Sequence, residues 1–170
     1  MGARVHHSAI HVHDLDASLR FYRDGIGLDV LMDREFEGDW PALFDVPTTR
    51  LRSVFLGDRH HPDAGVVELV DFVGVAPGSA GASEAAGSPA VPAGGFFLLS
   101  FFVDVDVVLG RLDGLGHGGV RRIEQPGPAG PVAMATVADP DGVRVELIDV
   151  SGPASSPAAP PATPPPSPQG

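Results

Sequence analysis

The hydrophobic positions of the chain alternate between a period of two and a helical period, which predicts strands interrupted by helices. Residues 5–13 and 50–57 have the β-branched content and alternation of strands. Between them, apolar residues at helical spacing follow Asp14, and Gly27 lies at the end of this run, which predicts one helix. The other predictions for this half are strands at 28–33 and 65–73 and an irregular segment at 34–49.

The second half of the chain repeats this order. A strand is predicted at 96–103, and a helix begins at Asp104, which matches Asp14 ninety residues earlier. The sequence 67–71 (VELVD) likewise matches 145–149 (VELID). Three further strands are predicted near 119–125, 132–138 and 143–150. Both halves therefore read strand–helix–strand–strand–strand, and two βαβββ modules are expected to pair into one pseudo-symmetric α+β domain.

Two segments have a composition that cannot form a core. Residues 74–95 are almost all Gly, Ala, Ser and Pro, and residues 151–170 contain eight prolines and no charge. We expect a flexible insert and a disordered tail, respectively. The predicted organisation is one domain over 1–150, with the first module at 5–73 and the second at 96–150.

The charge balance and two missing residue types restrict the chemistry. The 22 acidic and 11 basic residues give a formal charge of −11, which disfavours binding to nucleic acid or to an anionic membrane surface. The chain has no Lys, so Schiff-base chemistry is excluded, and no Cys, so a metal ion would need His and carboxylate ligands. It has neither an apolar run long enough to span a membrane nor an apolar signal segment at its start, which leads us to expect a cytoplasmic protein.

Three residues are candidates for a site. Glu68 and Glu146 each lie inside an apolar strand, where a carboxylate is costly unless it is paired or binds a metal ion. His7 lies near the start of the first strand, and alternation places His11 on the same face, roughly 13 Å further along.

Two motifs resemble a known superfamily. The pattern H-x-A-I-x-V-x-D-L-x-x-S-L-x-F-Y-R-D-x-x-G-L runs from His7 to Leu28, and D-P-D-G-x-x-V-E-L-I runs from Asp139 to Ile148. Together with the internal repeat, they resemble the opening and the closing strand of vicinal-oxygen-chelate proteins. This superfamily includes glyoxalase I, methylmalonyl-CoA epimerase, extradiol dioxygenases, and the fosfomycin and bleomycin resistance proteins.

The resemblance implies a mixed sheet that curls into a cup around a divalent metal ion. The ligands in glyoxalase-like members are His or Gln, Glu, His or Gln, and Glu, from the first and last strands of each module. Carried over, the first, second and fourth ligands are His7, Glu68 and Glu146. The third falls on Phe97, or on Leu98 if the register shifts by one, and neither side chain binds a metal ion. The remaining nitrogen and oxygen donors suit Mn, Fe, Co, Ni or Zn.

Four other residues are expected near the cup. Arg144 shares a strand face with Glu146, and Phe97 would make that part of the cup apolar. Trp40 would lie at its mouth, in the core or in a dimer contact, and His11 would line the cup. Because family members commonly dimerise, and some complete each cup with a second chain, we also expect a homodimer.

Three functions are compatible with this set. The first is a glyoxalase-like metal-dependent isomerase, epimerase or lyase that acts on a small carbonyl-containing substrate, with Glu68 or Glu146 as the catalytic acid and base. The second is a metal-free small-molecule binding protein of the bleomycin-resistance type. The third is a ring-cleaving dioxygenase, if a second His such as His11 completes a metal triad.

Overall fold

The computed structural model describes residues 5–61, 64–75, 95–127 and 130–149. The first unit consists of β1 (Ser8–His11), α1 (Leu15–Leu19) with a π-helical continuation (Arg20–Ile26), β2 (Asp29–Glu37), α2 (Trp40–Phe44), β3 (Arg50–Gly57) and β4 (Val67–Phe72). The second unit consists of β5 (Leu99–Val103), α3 (Val105–Gly114), β6 (Arg121–Gly127), β7 (Gly130–Ala138) and β8 (Arg144–Asp149). Nearly all of the 74–95 insert and the whole 151–170 tail lie outside the described residues.

Each unit forms one four-stranded mixed sheet with the same topology. The strand orders are β1-β4-β3-β2 and β5-β8-β7-β6. The first strand of each unit runs parallel to the last, and the other neighbours are antiparallel. The predicted α+β fold with two repeated βαβββ units is therefore confirmed.

The two main helices begin where the repeat predicts. The Asp14 carboxylate accepts a hydrogen bond from the amide of Ala17 at 2.9 Å, and Asp104 accepts one from Val107 at 3.0 Å. Each aspartate satisfies an amide that has no partner within its helix, which fixes the start of the helix. None of the helices in the described ranges is long and apolar enough to cross a membrane.

The segment predicted to be irregular, 34–49, contains regular structure. Strand β2 extends to Glu37 and pairs with β3 along its length, apart from a bulge between Val30 and Met32. The charged residues of β2 obscured the alternation of apolar and polar positions. The acidic residues Asp33 and Glu35, on one face of this strand, form ion pairs with arginines of β3. The Asp39 carboxylate then caps the start of α2. The residue after the helix, Asp45, has a left-handed backbone conformation.

One apolar core lies between the sheets and the helices. The helical residues Phe21 and Tyr22 are fully buried in it, as are Val54 and Leu69 of the first sheet and Leu147 of the second. Helix α3 of the second unit packs against the π-helical segment of the first. The two units therefore share a core, and the sheet faces opposite to it remain available for a site.

A buried hydrogen bond joins the two units inside this core. The hydroxyl of Tyr22 donates to Oδ2 of Asp139, in the turn between β7 and β8, at 2.8 Å. Burial raises the pKa of Asp139, although this bond and the amides of Asp141 and Val143 favour its charged form. Burial, followed by the charge of Asp139, also raises the pKa of Tyr22, which keeps its hydroxyl a donor.

We expect Tyr22→Phe to lower the free energy of unfolding by about 1–3 kcal/mol, because it leaves a buried carboxylate oxygen without its donor. Urea unfolding measures the difference. Thr49→Val removes a hydroxyl at an exposed position and serves as the control, with an expected change within about 0.5 kcal/mol. Equal losses in the two variants would show that the bond does not stabilise the junction.

Candidate active site

A cavity of about 620 Å³ lies over the first sheet, on the face opposite to the core. Its volume is in the range of small-molecule sites. The residues that line it are His7, Ala9, His11, Met32, Phe36, Trp40, Phe44, Val46, Leu51, Ser53, Phe55, Glu68, Val70 and Phe72. All of them belong to the first unit, so this chain forms the cavity from one sheet and α2.

Glu68 lies on the cavity face because of strand alternation in β4. Its neighbours Val67 and Leu69 point into the core and are buried. The Glu68 side chain is only 13% exposed, and both of its oxygens are bound: Oε2 lies 2.9 Å from Nε2 of His7, and Oε1 accepts a hydrogen bond from the hydroxyl of Ser53. The carboxylate is thus paired, as a partly buried charge requires.

The imidazole of His7 is held between this carboxylate and an aromatic ring. Phe55, opposite Glu68 in the β3–β4 ladder, packs edge-on against His7 with ring centroids 5.4 Å apart. His7 keeps about a third of its side chain exposed. An imidazole nitrogen and a carboxylate oxygen therefore meet at an accessible position, and both atoms are suitable ligands for a divalent metal ion.

Glu146 occupies the equivalent position in the second sheet. It lies opposite Ser100 in the β5–β8 pair, as Glu68 lies opposite Ala9 in the first sheet. Its Oε2 accepts a hydrogen bond from the Ser100 hydroxyl at 2.8 Å. On the same strand, the guanidinium of Arg144 lies 4.9 Å from the ring centroid of Phe97. Arg144 and Phe97 thus contact each other, and neither lines the first-sheet cavity.

The strand register places Leu98, rather than Phe97, at the position equivalent to His7. Because Ala9 aligns with Ser100, the residue two positions earlier on the same face is Leu98. The one-residue difference arises because Ala9 lies five positions before its helix cap, Asp14, whereas Ser100 lies four positions before Asp104. The second unit therefore presents a carboxylate and an aliphatic side chain where the first presents a carboxylate and an imidazole.

The structure brings some of the predicted residues together and separates others. His7 and Glu68 are in contact, and His11 and Trp40 line the same cavity. Glu146 belongs to the other sheet. Within the described ranges, no three His, Asp or Glu side chains lie close enough together to hold a metal ion. The ring of His11 contacts Phe72, with centroids 5.1 Å apart.

Sequence analysis missed several residues of the cavity. Ser53 is almost fully buried and holds Glu68, yet a serine in an alternating strand gives no chemical signal of its own. The alternation of β3, with Leu51, Ser53 and Phe55 on one face, could have placed it beside Glu68 once strand pairing was known. Phe36 was missed because the predicted strand stopped at residue 33, and Phe44 was missed because α2 was not predicted.

Comparisons with known proteins agree with this fold. The lactoylglutathione lyase-like protein terB of Aspergillus terreus is 38% identical over 151 residues, which cover 85% of this chain and 74% of that protein. Crystalline glyoxalase I from Zea mays is 26% identical with a TM-score of 0.56; the match covers 85% of this chain but only 44% of the maize chain. A glyoxalase family protein from Bacillus cereus has a TM-score of 0.61 at 19% identity, which is a likeness of fold alone.

The family model of the Glyoxalase/Bleomycin resistance protein/Dioxygenase superfamily matches residues 4–147, which include the cavity residues and both sheets up to the middle of β8. Members of this superfamily generally use a divalent metal ion and bind small molecules. The resemblance carried by the two sequence motifs is thereby confirmed, and the relatives support an enzyme of the glyoxalase type. This chain belongs to the Glyoxalase/Bleomycin resistance protein/Dioxygenase superfamily.

Proposed function

We propose that this protein is a metal-dependent enzyme of the glyoxalase type, which acts on a small carbonyl-containing substrate in an isomerase, epimerase or lyase reaction. The observation that carries the proposal is the contact of His7 with Glu68 at 2.9 Å, on the floor of an apolar cavity. The superfamily membership supports the same reaction class.

Nitrogen and oxygen donors at one accessible point fit a divalent ion such as Zn, Ni, Fe, Mn or Co. His7 and Glu68 would hold it from one chain, and a third donor is needed. A bound ion would polarise the two oxygens of the substrate and make the proton on the neighbouring carbon more acidic.

The residues of the chain would then move that proton. One of the two carboxylates, Glu68 or Glu146, takes it from the carbon next to the carbonyl and returns it to the substrate. Ser53 holds Oε1 of Glu68, which keeps the carboxylate oriented toward the cavity. The apolar lining lowers the polarity around the charged atoms, which strengthens their interactions.

We further propose that the third donor is Glu146 of the partner subunit in a homodimer. In the described residues, β1 pairs only with β4 and β5 only with β8, so each of these two strands has one unpaired edge. Unpaired edges favour association with another chain. Glu68 and Glu146 each lie one strand in from such an edge. If the β1 edge of one copy adjoins the β5 edge of another, the two carboxylates face each other across the joined sheets.

The leading alternative is a metal-free binding protein. Leu98 favours it, because an aliphatic side chain stands at the position equivalent to His7. The retained contact between His7 and Glu68 favours the enzyme, because a binding pocket alone does not require it. Metal analysis separates the two functions.

We expect His7→Ala and Glu146→Ala each to lose metal binding when expressed alone. Coexpression of the two variants with different affinity tags yields heterodimers, in which one of the two sites has all its ligands and the other lacks two. After loading with Co²⁺, elemental analysis should find about one ion per heterodimer and about two per wild-type dimer.

Two other results would contradict parts of the proposal. Heterodimers without Co²⁺, together with a loaded wild type, would show that all ligands come from one chain. A wild-type protein that takes up no Co²⁺ would overturn the metal-dependent enzyme and leave the binding protein.

We expect Ser53→Ala to weaken Co²⁺ binding about tenfold, because partners that orient a metal ligand typically contribute 10–100-fold to affinity. Titration followed by the visible absorption of the bound ion measures the effect. Ser53→Thr retains the hydroxyl and should bind Co²⁺ like the wild type. Unchanged affinity in Ser53→Ala would show that this hydroxyl does not orient Glu68.

A further inference from the structure

We propose that His6 is a positioning residue for His7. Its imidazole donates a hydrogen bond to His7 in the empty site, and it accepts one from His7 when that ring holds a metal ion. The statement about the loaded site rests on the proposed function, whereas the statement about the empty site rests on the hydrogen bonds alone. The superfamily pattern begins at His7, so it assigns no role to His6.

His6 lies directly against His7. Nδ1 of His6 is 2.7 Å from Nδ1 of His7, and the two rings meet edge-on with centroids 5.0 Å apart. Both rings also pack edge-on against Phe55, with centroid distances of 6.2 Å for His6 and 5.4 Å for His7. Both residues precede β1, where the chain is not a regular strand, so neighbouring side chains need not point to opposite faces.

Both ring nitrogens of His7 therefore have a partner. Nε2 lies 2.9 Å from Oε2 of Glu68, and Nδ1 lies against His6. An ionised carboxylate only accepts hydrogen bonds, so Nε2 of His7 carries a proton. Because a neutral imidazole has a single N–H, Nδ1 of His7 is an acceptor and Nδ1 of His6 is its donor. The hydrogen bonds thus run in one direction, from His6 through His7 to Glu68.

Nε2 of His7 can bind a metal ion only after it loses this proton, and the bond between the imidazoles then reverses. The proton on Nδ1 of His6 crosses to Nδ1 of His7, and the proton on Nε2 of His7 leaves to water. A proton from water binds Nε2 of His6, whose side chain is exposed. Each ring again has one proton, so the exchange is balanced and Nδ1 of His6 becomes the acceptor.

An imidazole suits this position because one nitrogen can either donate or accept. The usual partners of a ligating histidine are carboxylates and carbonyl oxygens, which only accept. Such a partner would orient His7 in the loaded site and would offer no donor to its Nδ1 in the empty site. With His6 as the partner, His7 keeps one orientation in both states, and little further ordering is needed when the ion binds.

Nitrogen NMR of the full-length protein with ¹⁵N-labelled histidine tests the positions of the protons. The chemical shifts identify the protonated nitrogen of each ring, and the His6→Asn and His7→Ala variants assign the signals. At about pH 9, where an imidazole is ordinarily neutral, we expect protons on Nδ1 of His6 and on Nε2 of His7 in the metal-free protein. Loading with Zn²⁺ should move them to Nε2 of His6 and Nδ1 of His7.

Two substitutions of His6 separate hydrogen bonding from ring packing. His6→Asn retains an amide that can donate or accept near the position of Nδ1, and it should bind Co²⁺ like the wild type. His6→Phe retains a ring against Phe55 but no nitrogen, and it should weaken Co²⁺ binding about tenfold, as the loss of an orienting partner does. His60→Phe is the matched control, because His60 is an exposed histidine that does not line the cavity.

Each result decides the proposal. It is overturned if His6→Phe binds Co²⁺ like the wild type, because His6 would then act by packing alone. An equal loss in His6→Asn and His6→Phe, a proton on Nε2 of His6 in the metal-free protein, or protons that stay in place after Zn²⁺ binds would also overturn it. Uptake of neither ion, together with the expected protons in the metal-free protein, would reject the metal-dependent enzyme and retain His6 as the residue that positions His7.

Discussion

The hydrogen bond between Tyr22 and Asp139 is the interaction on which the arrangement of the two units depends. It links the helical segment of the first unit to the β7–β8 turn of the second, and both side chains are buried. A buried carboxylate is costly without its hydrogen-bond partners, so the bond permits few placements of one unit relative to the other. With the core sides of both sheets turned toward this junction, the opposite faces are left for ligands.

Strand alternation then determines which residues reach a ligand. In β4, the core requires Val67 and Leu69 on one side, and the period of two necessarily presents Glu68 on the other. The same rule presents Glu146 in β8. The chemistry of these faces differs between the units: one adds His7 and an aromatic cavity, and the other adds Ser100 and an aliphatic side chain at Leu98.

Much of this could be predicted from the sequence, because the repeat, the capping residues Asp14 and Asp104 and the buried glutamates are local signals. The contact between His7 and Glu68 could also be predicted, since the superfamily resemblance implies that both residues are ligands of one metal ion. Sequence analysis could not predict helix α2, because it has only five residues, none of them buried, and a single side-chain cap at Asp39. Sequence analysis could not decide between Phe97 and Leu98 for the third ligand position. The choice depends on the number of residues between the first strand and the helix of each unit, which only the strand pairing reveals.

The π-helical continuation of α1 has a consequence for insertions and deletions. Between Arg20 and Ile26 the turns are wider than in an α-helix, and the amide of Gly27 reaches back five residues to the carbonyl of Tyr22. Loss of one residue from this stretch would restore ordinary helical bonding, but each residue rotates a helix by about 100°. The side chains on one side of the deletion would then rotate away from the core. A shorter segment could keep its own hydrogen bonds, but it would no longer pack against the second unit. The length of this one turn is thus tied to a neighbour more than a hundred residues away in the chain, and a change there would need a matching change in the turn that carries Asp139.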